Sequence, residues 1–203
     1  MKFFSIDAVM TAARTVMLTV VITGALTACA PLVTQNPGGS ISPANVVTLD
    51  GNERVMLKGA DVVAYFTKND YVQGTPTIKT DYQKITFYFS SIEHKALFDK
   101  EPTKYLPMYG GFCANGISYG IPWGGDADTW RIFDGKLHIF GGAQSRDAFL
   151  LDVPKNRQLA EQYWKDEVTG SNAFVQRTKR LMFKVPHYKT DADVAAEIAK
   201  TKK

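Results

Sequence analysis

The 203-residue sequence predicts an α+β fold: a small antiparallel β-sheet with hairpins packed on short helices, plus a helical C-terminal extension. Three observations predict it. The run Ile85-Thr86-Phe87-Tyr88-Phe89 is dense in strand formers and reads as the second arm of a hairpin over 78–89. Asp134-Gly135, a dipeptide suited to tight two-residue turns, joins Trp130-Arg131-Ile132-Phe133 to Lys136-Leu137-His138-Ile139-Phe140. Beyond residue 153 apolar residues recur at helical rather than alternating spacing. The length fits one domain plus attachments. With 12 Phe, 9 Tyr and 3 Trp the chain can build a core, which excludes wholesale disorder.

In chain order, the first segment reads as an address. Lys2 and Arg14 precede an apolar run over 15–26, shorter than the roughly 20 residues a spanning helix needs. The run ends in Leu26-Thr27-Ala28-Cys29, which resembles a bacterial lipobox, with Cys29 as the lipidated first residue of the mature chain. The alternative is an ordinary secretory signal followed by a chance cysteine. Ala30 after the cysteine favours an outer-membrane anchor facing the periplasm, by resemblance to the lipoprotein sorting rule. Residues 1–28 are then a signal peptide. Residues 29–45, with Gln35-Asn36-Pro37-Gly38-Gly39-Ser40, read as a lipidated flexible tether.

The α+β domain spans 46–152. Asp61 has the character of an N-cap for a short helix, Val62-Val63-Ala64-Tyr65-Phe66. Ser90 and Glu93 have capping-box spacing ahead of a helix that stops before Pro102. The stretch Tyr109-Gly110-Gly111-Phe112-Cys113-Ala114-Asn115-Gly116 is too glycine-rich for a regular element, so backbone there passes close to something or takes positive φ. Asp126-Ala127-Asp128 reads as a solvated turn, since it lacks the remaining ligands of a calcium loop. In the extension, 153–203, one helix carries Leu159, Tyr163 and Trp164. A second, from about Ser171, gathers Phe174, Val175, Thr178, Leu181 and Met182 on one side, and a short amphipathic piece follows around Val194 and Ile198.

Several of these phrases together resemble the YHS-domain family. They are Leu57-Lys58-Gly59-Ala60-Asp61-Val62-Val63-Ala64-Tyr65-Phe66; Phe87-Tyr88-Phe89-Ser90-Ser91 with His94, Phe98, Pro102 and Tyr105; Tyr109-Gly110-Gly111-Phe112-Cys113-Ala114; and Trp130 onward to Leu137. The likeness covers about residues 55–140. The tail, with Tyr163-Trp164-Lys165 and Val185-Pro186-His187-Tyr188-Lys189, is similar to an extension in a proteobacterial lipoprotein branch. The resemblance implies a soft-metal site in relatives that carry two cysteines at the strand-to-helix junction. Ser90 and His94 stand at those positions here, so the inherited ligand set is absent.

The residues that carry chemistry are few. Two cysteines exclude a disulfide-stapled miniprotein and a four-cysteine zinc site. If Cys29 is acylated, Cys113 is the one remaining thiol, and it is either a reactive or ligating group in a glycine-rich loop or a small apolar core residue. His94 joins it as a candidate ligand, with Met108, His138 and Tyr109 as weaker companions, for a copper or zinc ion or a small ligand. Arg177, Lys179, Arg180 and Lys184 form a candidate basic contact for the membrane or an envelope protein. Residues 155–203 carry a net charge of +5, whereas 29–154 carry −2. The formal total of +4 is mild and an exported chain does not meet nucleic acid, so none is expected. The reading is an envelope lipoprotein whose YHS-like domain binds rather than catalyses. The alternatives are an interaction protein using the basic helices, and a thiol-dependent redox protein or enzyme at Cys113.

Overall fold

In a computed structural model the described residues are 34–201, so the segment read as a signal peptide, Cys29 and the start of the segment read as a tether lie outside them. The fold is α+β. Four strands, β1 (Val46–Leu49), β2 (Asn52–Met56), β3 (Thr75–Tyr82) and β4 (Ile85–Phe89), form a sheet in the order β1-β2-β4-β3. The β1–β2 and β3–β4 pairs are antiparallel, as hairpin-forming sequence requires. The central β2–β4 pair is parallel, with Val55 opposite Thr86. That pairing departs from the all-antiparallel expectation. The segment between the two strands holds α1 (Ala64–Thr67) and β3, long enough for a crossover. All five residues of β4 are buried, which explains why its sequence is apolar without alternation.

The helix α2 (Ile92–Lys100) is capped one residue later than the sequence spacing implied. Ser91, not Ser90, accepts the His94 amide, because Ser90 is engaged elsewhere. A short α3 (Pro102–Tyr105) follows, and α4 (Ala114–Ile117) starts at Cys113. The strands β5 (Asp126–Phe133) and β6 (Lys136–Phe140) form the second, two-stranded sheet. Asp134 and Gly135 both have positive φ, the geometry a right-twisted two-residue hairpin needs. Asp126 and Asp128 are exposed as expected, but they open β5 rather than a turn, with Asp126 opposite Phe140.

The strand β6 separates two cores. Leu137 and Ile139 join the first, with Met56, Tyr65, Phe87, Phe89 and Phe98. Phe140 joins the second, with Phe112, Ile117 and Phe149 of α5 (Ala143–Leu150). Ala160 of α6 (Val153–Tyr163), Val168 of the π-helical turn Trp164–Val168, and Ala173 of α7 (Ala173–Met182) complete it. The C-terminal helices therefore share a core with the α+β domain. The last helix is α8 (Asp191–Thr201).

Residues 34–45 do not form a free tether. Ile41, Ser42 and Ala44 are buried, the Ala44 amide donates to Gln35 O, and the Asn45 amide donates to Gly110 O. Gly110 lies so close to this segment that a Cβ would come within 2.4 Å of Pro43 O. A Cβ on Gly125 would come within 2.5 Å of Ile139 Cγ2 and 2.7 Å of Gly111 O. The glycine-rich loops are thus dictated by backbone against backbone, the packing alternative to a ligand cradle.

Candidate functional site

The first cluster grows from Asp61, which is fully buried. Its Oδ1 accepts the Val63 and Ala64 amides at 3.0 and 3.3 Å, which shapes the turn into α1. Its Oδ2 accepts the Ser90 amide at 2.8 Å, the Ser90 hydroxyl at 2.6 Å and His94 Nδ1 at 2.7 Å. Burial by itself would raise the carboxyl pKa, but the Ser90 bonds and the facing imidazole outweigh it and hold the value below 3.8. The other ring nitrogen, His94 Nε2, is 3.0 Å from Thr67 Oγ1. His94 is buried, not a helix-surface residue, and both of its nitrogens have protein partners. The sequence marked Asp61 only as a helix cap. Its second role, joining the turn, the end of β4 and α2, depends on a separation of 29 to 33 residues that no local pattern reports.

This arrangement answers whether a metal fits where the YHS likeness points. It does not. Ser90 and His94 are tied to one carboxylate. Among the described residues no group of three or more His, Cys, Asp or Glu converges in metal-holding geometry.

Cys113 belongs to another cluster. It caps α4, its Sγ accepting the Gly116 amide at 3.4 Å and lying 3.0 Å from Ser145 Oγ on α5. A backbone bridge ties Cys113 to Ile139 of β6. The residue is only 2% exposed, yet it lines a cleft of about 510 Å³. Asn115, Tyr119, Trp123 and Ser145 line the same cleft, and residues 188–191 with Val194 wall it from the C-terminal side. Gln144 fastens that wall by donating to Asp191 O at 3.0 Å. Among the described residues the side chains of Asn115 and Trp123 make no hydrogen bond to protein, so their polar groups are available to an occupant. His94 does not line this cleft.

Tyr109 and His138, offered as companions of Cys113, lie against each other and do not line that cleft. Their ring centroids are 5.7 Å apart, edge to face, with Phe133 and Phe149 also around His138. Although the alternation of β6 sets His138 on the side opposite Leu137 and Ile139, it is 1% exposed, because both faces of the strand are covered. Its Nδ1 donates to Lys136 O at 2.9 Å, and burial pushes the ring pKa down to about 4, so the imidazole is neutral at pH 7. Its Nε2 and the Tyr109 hydroxyl are both buried without a partner among the described residues. Met108 is partly buried against the same core.

The four basic residues expected to form one face are divided. Arg177 donates twice to Pro122 O, at 3.2 and 2.8 Å, and Arg180 pairs with Glu167 while stacking over Tyr163. Lys179 also reaches Glu167, at 3.1 Å, with half of its side chain in solvent. Lys184 is exposed and lies over the Tyr188 ring. Arg177 and Arg180 are therefore turned toward the body. Buried guanidinium groups need acceptors, and Pro122 O and Glu167 supply them. Cys29 lies outside the described residues.

No protein-family model, curated protein or solved structure matches this chain.

Proposed function

We propose that this chain is a lipid-anchored envelope protein whose domain binds a small planar organic molecule in the cleft floored by Cys113, without turning it over. The lipobox-like Leu26-Thr27-Ala28-Cys29 supports the anchor and the outer-membrane, periplasm-facing location. The YHS-like reading is supported by Asp61 of one family-like phrase meeting Ser90 and His94 of the next. The observation that carries the binding reading is the cleft itself. At about 510 Å³ it has the volume of ordinary small-molecule sites, with three aromatic walls and a few convergent polar groups. Tyr119, Trp123 and Tyr188 supply flat apolar surface, and Asn115 supplies an amide donor and acceptor without a partner among the described residues.

A small molecule is favoured over a soft metal because Sγ has a hydroxyl and an amide beside it, not a second soft donor. Binding is favoured over thiol catalysis because neither of those neighbours is a base, and His94 is held by Asp61 and Thr67. Native labelling with monobromobimane, a planar thiol reagent, tests the reading, with peptide mapping to assign the label. Cys113 should react in the folded protein, on the order of 10- to 100-fold more slowly than in urea. A thiol that reacts only after unfolding would make Cys113 a core residue and remove the floor from the site.

A further inference from the structure

The helix α7 is amphipathic, and it is mounted with its polar side inward. Ala173, Gln176, Arg177 and Arg180 face the body. Gln176 donates to Gly120 O and to Glu167, while Arg177 and Arg180 make the bonds described above. At 100° per residue, Phe174, Val175, Thr178, Leu181 and Met182 occupy the opposite side. Their exposure is large: Phe174 52%, Val175 61%, Leu181 44% and Met182 71%, with Phe183 at 67% just beyond the helix. The apolar side that the sequence would turn into a core instead meets solvent. A concentrated patch of this kind calls for a partner, whereas single exposed apolar residues do not.

The course of the chain argues what that partner is. The described residues begin at Thr34, and Asn36 Oδ1 accepts the amide of Ala173, the first residue of α7, at 2.9 Å. The Gly170 amide, just before the helix, donates to Ser42 O. Asn36 and Ser42 therefore meet the domain at the N-terminal end of α7, beside Phe174. Asn36 is seven residue steps beyond Cys29, a reach of at most about 25 Å at full extension. An anchor at Cys29 would keep this end of α7 within that distance of the bilayer. Lys179, half in solvent although paired with Glu167, and the exposed Lys184 flank the patch, the pattern of a helix lying in an anionic interface.

We infer that the outward side of α7, with Phe183, docks onto the surface of the lipid bilayer that anchors the chain. This rests on the anchor part of the proposed function and is independent of what the cleft binds. The partner surface is thereby changed from the four basic residues to an apolar side with two flanking lysines.

Hydroxyl-radical footprinting of the full-length mature protein tests it, on vesicles of phosphatidylethanolamine and phosphatidylglycerol at 3:1 and free of lipid. Labelling of Phe174, Met182 and Phe183 should fall at least fivefold on vesicles, while exposed Ile92 and Tyr71 stay within about twofold. A Phe174→Glu/Met182→Glu variant should keep the parental circular dichroism and melting temperature but lose the protection of Phe183. Unchanged labelling on vesicles that carry the protein in flotation would overturn docking, as would failure to bind them. Protection without lipid also overturns it: if concentration-dependent, a second copy covers the side, and if not, the chain's own N-terminal segment does. Loss of metabolic fatty-acid incorporation in Cys29→Ser tests the anchor by itself, so its failure is distinguishable from failure of docking.

Discussion

Replacing Asp61 by Asn removes a charge while keeping the shape, which makes it the sharpest test of the buried node. The carboxylate accepts five hydrogen bonds from four residues. In Asp61→Asn the amide oxygen can keep the Val63 and Ala64 amides. The new NH2 group then faces donors at Ser90 and His94. The serine hydroxyl can turn to accept, and the imidazole can present a bare Nδ1, but the Ser90 backbone amide has no such choice. One buried N–H left unpaired costs about 1–3 kcal/mol, and the lost charge assistance in the remaining bonds adds about 1 kcal/mol. The expected loss is therefore about 2–4 kcal/mol, or a fall in melting temperature of roughly 5–15 °C for a chain of this size. Urea unfolding at pH 7, followed by circular dichroism, measures it, with an unchanged slope to show that the unfolded state is the same. The pH dependence follows from the lowered carboxyl pKa. Its stabilisation is full above the ordinary value of 3.8 and is lost as pH falls through the lower folded value, so the gap between parent and variant should close below about pH 4. A variant within about 0.5 kcal/mol of the parent at pH 7 would refute the assignment of Asp61 as the tie between the turn, β4 and α2.

Two further predictions concern the second core. His138 has a folded pKa of about 4 against 6.5 unfolded, so the unfolded chain takes up the proton first and stability falls as pH drops through that interval. The contribution lost between pH 7 and pH 5 is about 2 kcal/mol, and a His138→Phe protein should lack that slope in chemical denaturation; an unchanged slope would place the titration elsewhere. The Tyr109 hydroxyl is buried without a partner among the described residues, so Tyr109→Phe should leave the unfolding free energy unchanged or raise it by up to about 1 kcal/mol. A loss above 1 kcal/mol would show that the hydroxyl has a partner such as an enclosed water.

Local chemistry was legible wherever a few neighbouring residues decide it. The Asp134-Gly135 turn and the apolar strand β4 follow from the backbone and side-chain properties of adjacent residues, and both are present. Another tight turn, at Gln83 and Lys84, also takes positive φ at both positions, yet neither residue type announces it. His138 shows the limit of alternation. Period-two patterning says which residues share a side, but whether that side meets water depends on what the rest of the chain lays over it, and α5 covers it. Ser90 looked like a cap because its spacing to Glu93 is right, but a buried carboxylate 29 residues upstream competes for it and wins.

By itself the sequence determined the α+β class, the β3–β4 and β5–β6 hairpins, the positive-φ glycine loop and the amphipathic character of α7. Each is set by backbone sterics or by the order of polar and apolar groups within about ten residues. Tertiary structure alone decided that His94 joins Asp61 while Cys113 floors a separate cleft, and which way α7 faces. A helix's pattern defines two sides, but its orientation is chosen by the partners available. Here Glu167, Gly120 O and Pro122 O lie where the polar side of α7 can satisfy them. Those bonds hold the polar side inward and leave Phe174, Leu181 and Met182 turned outward.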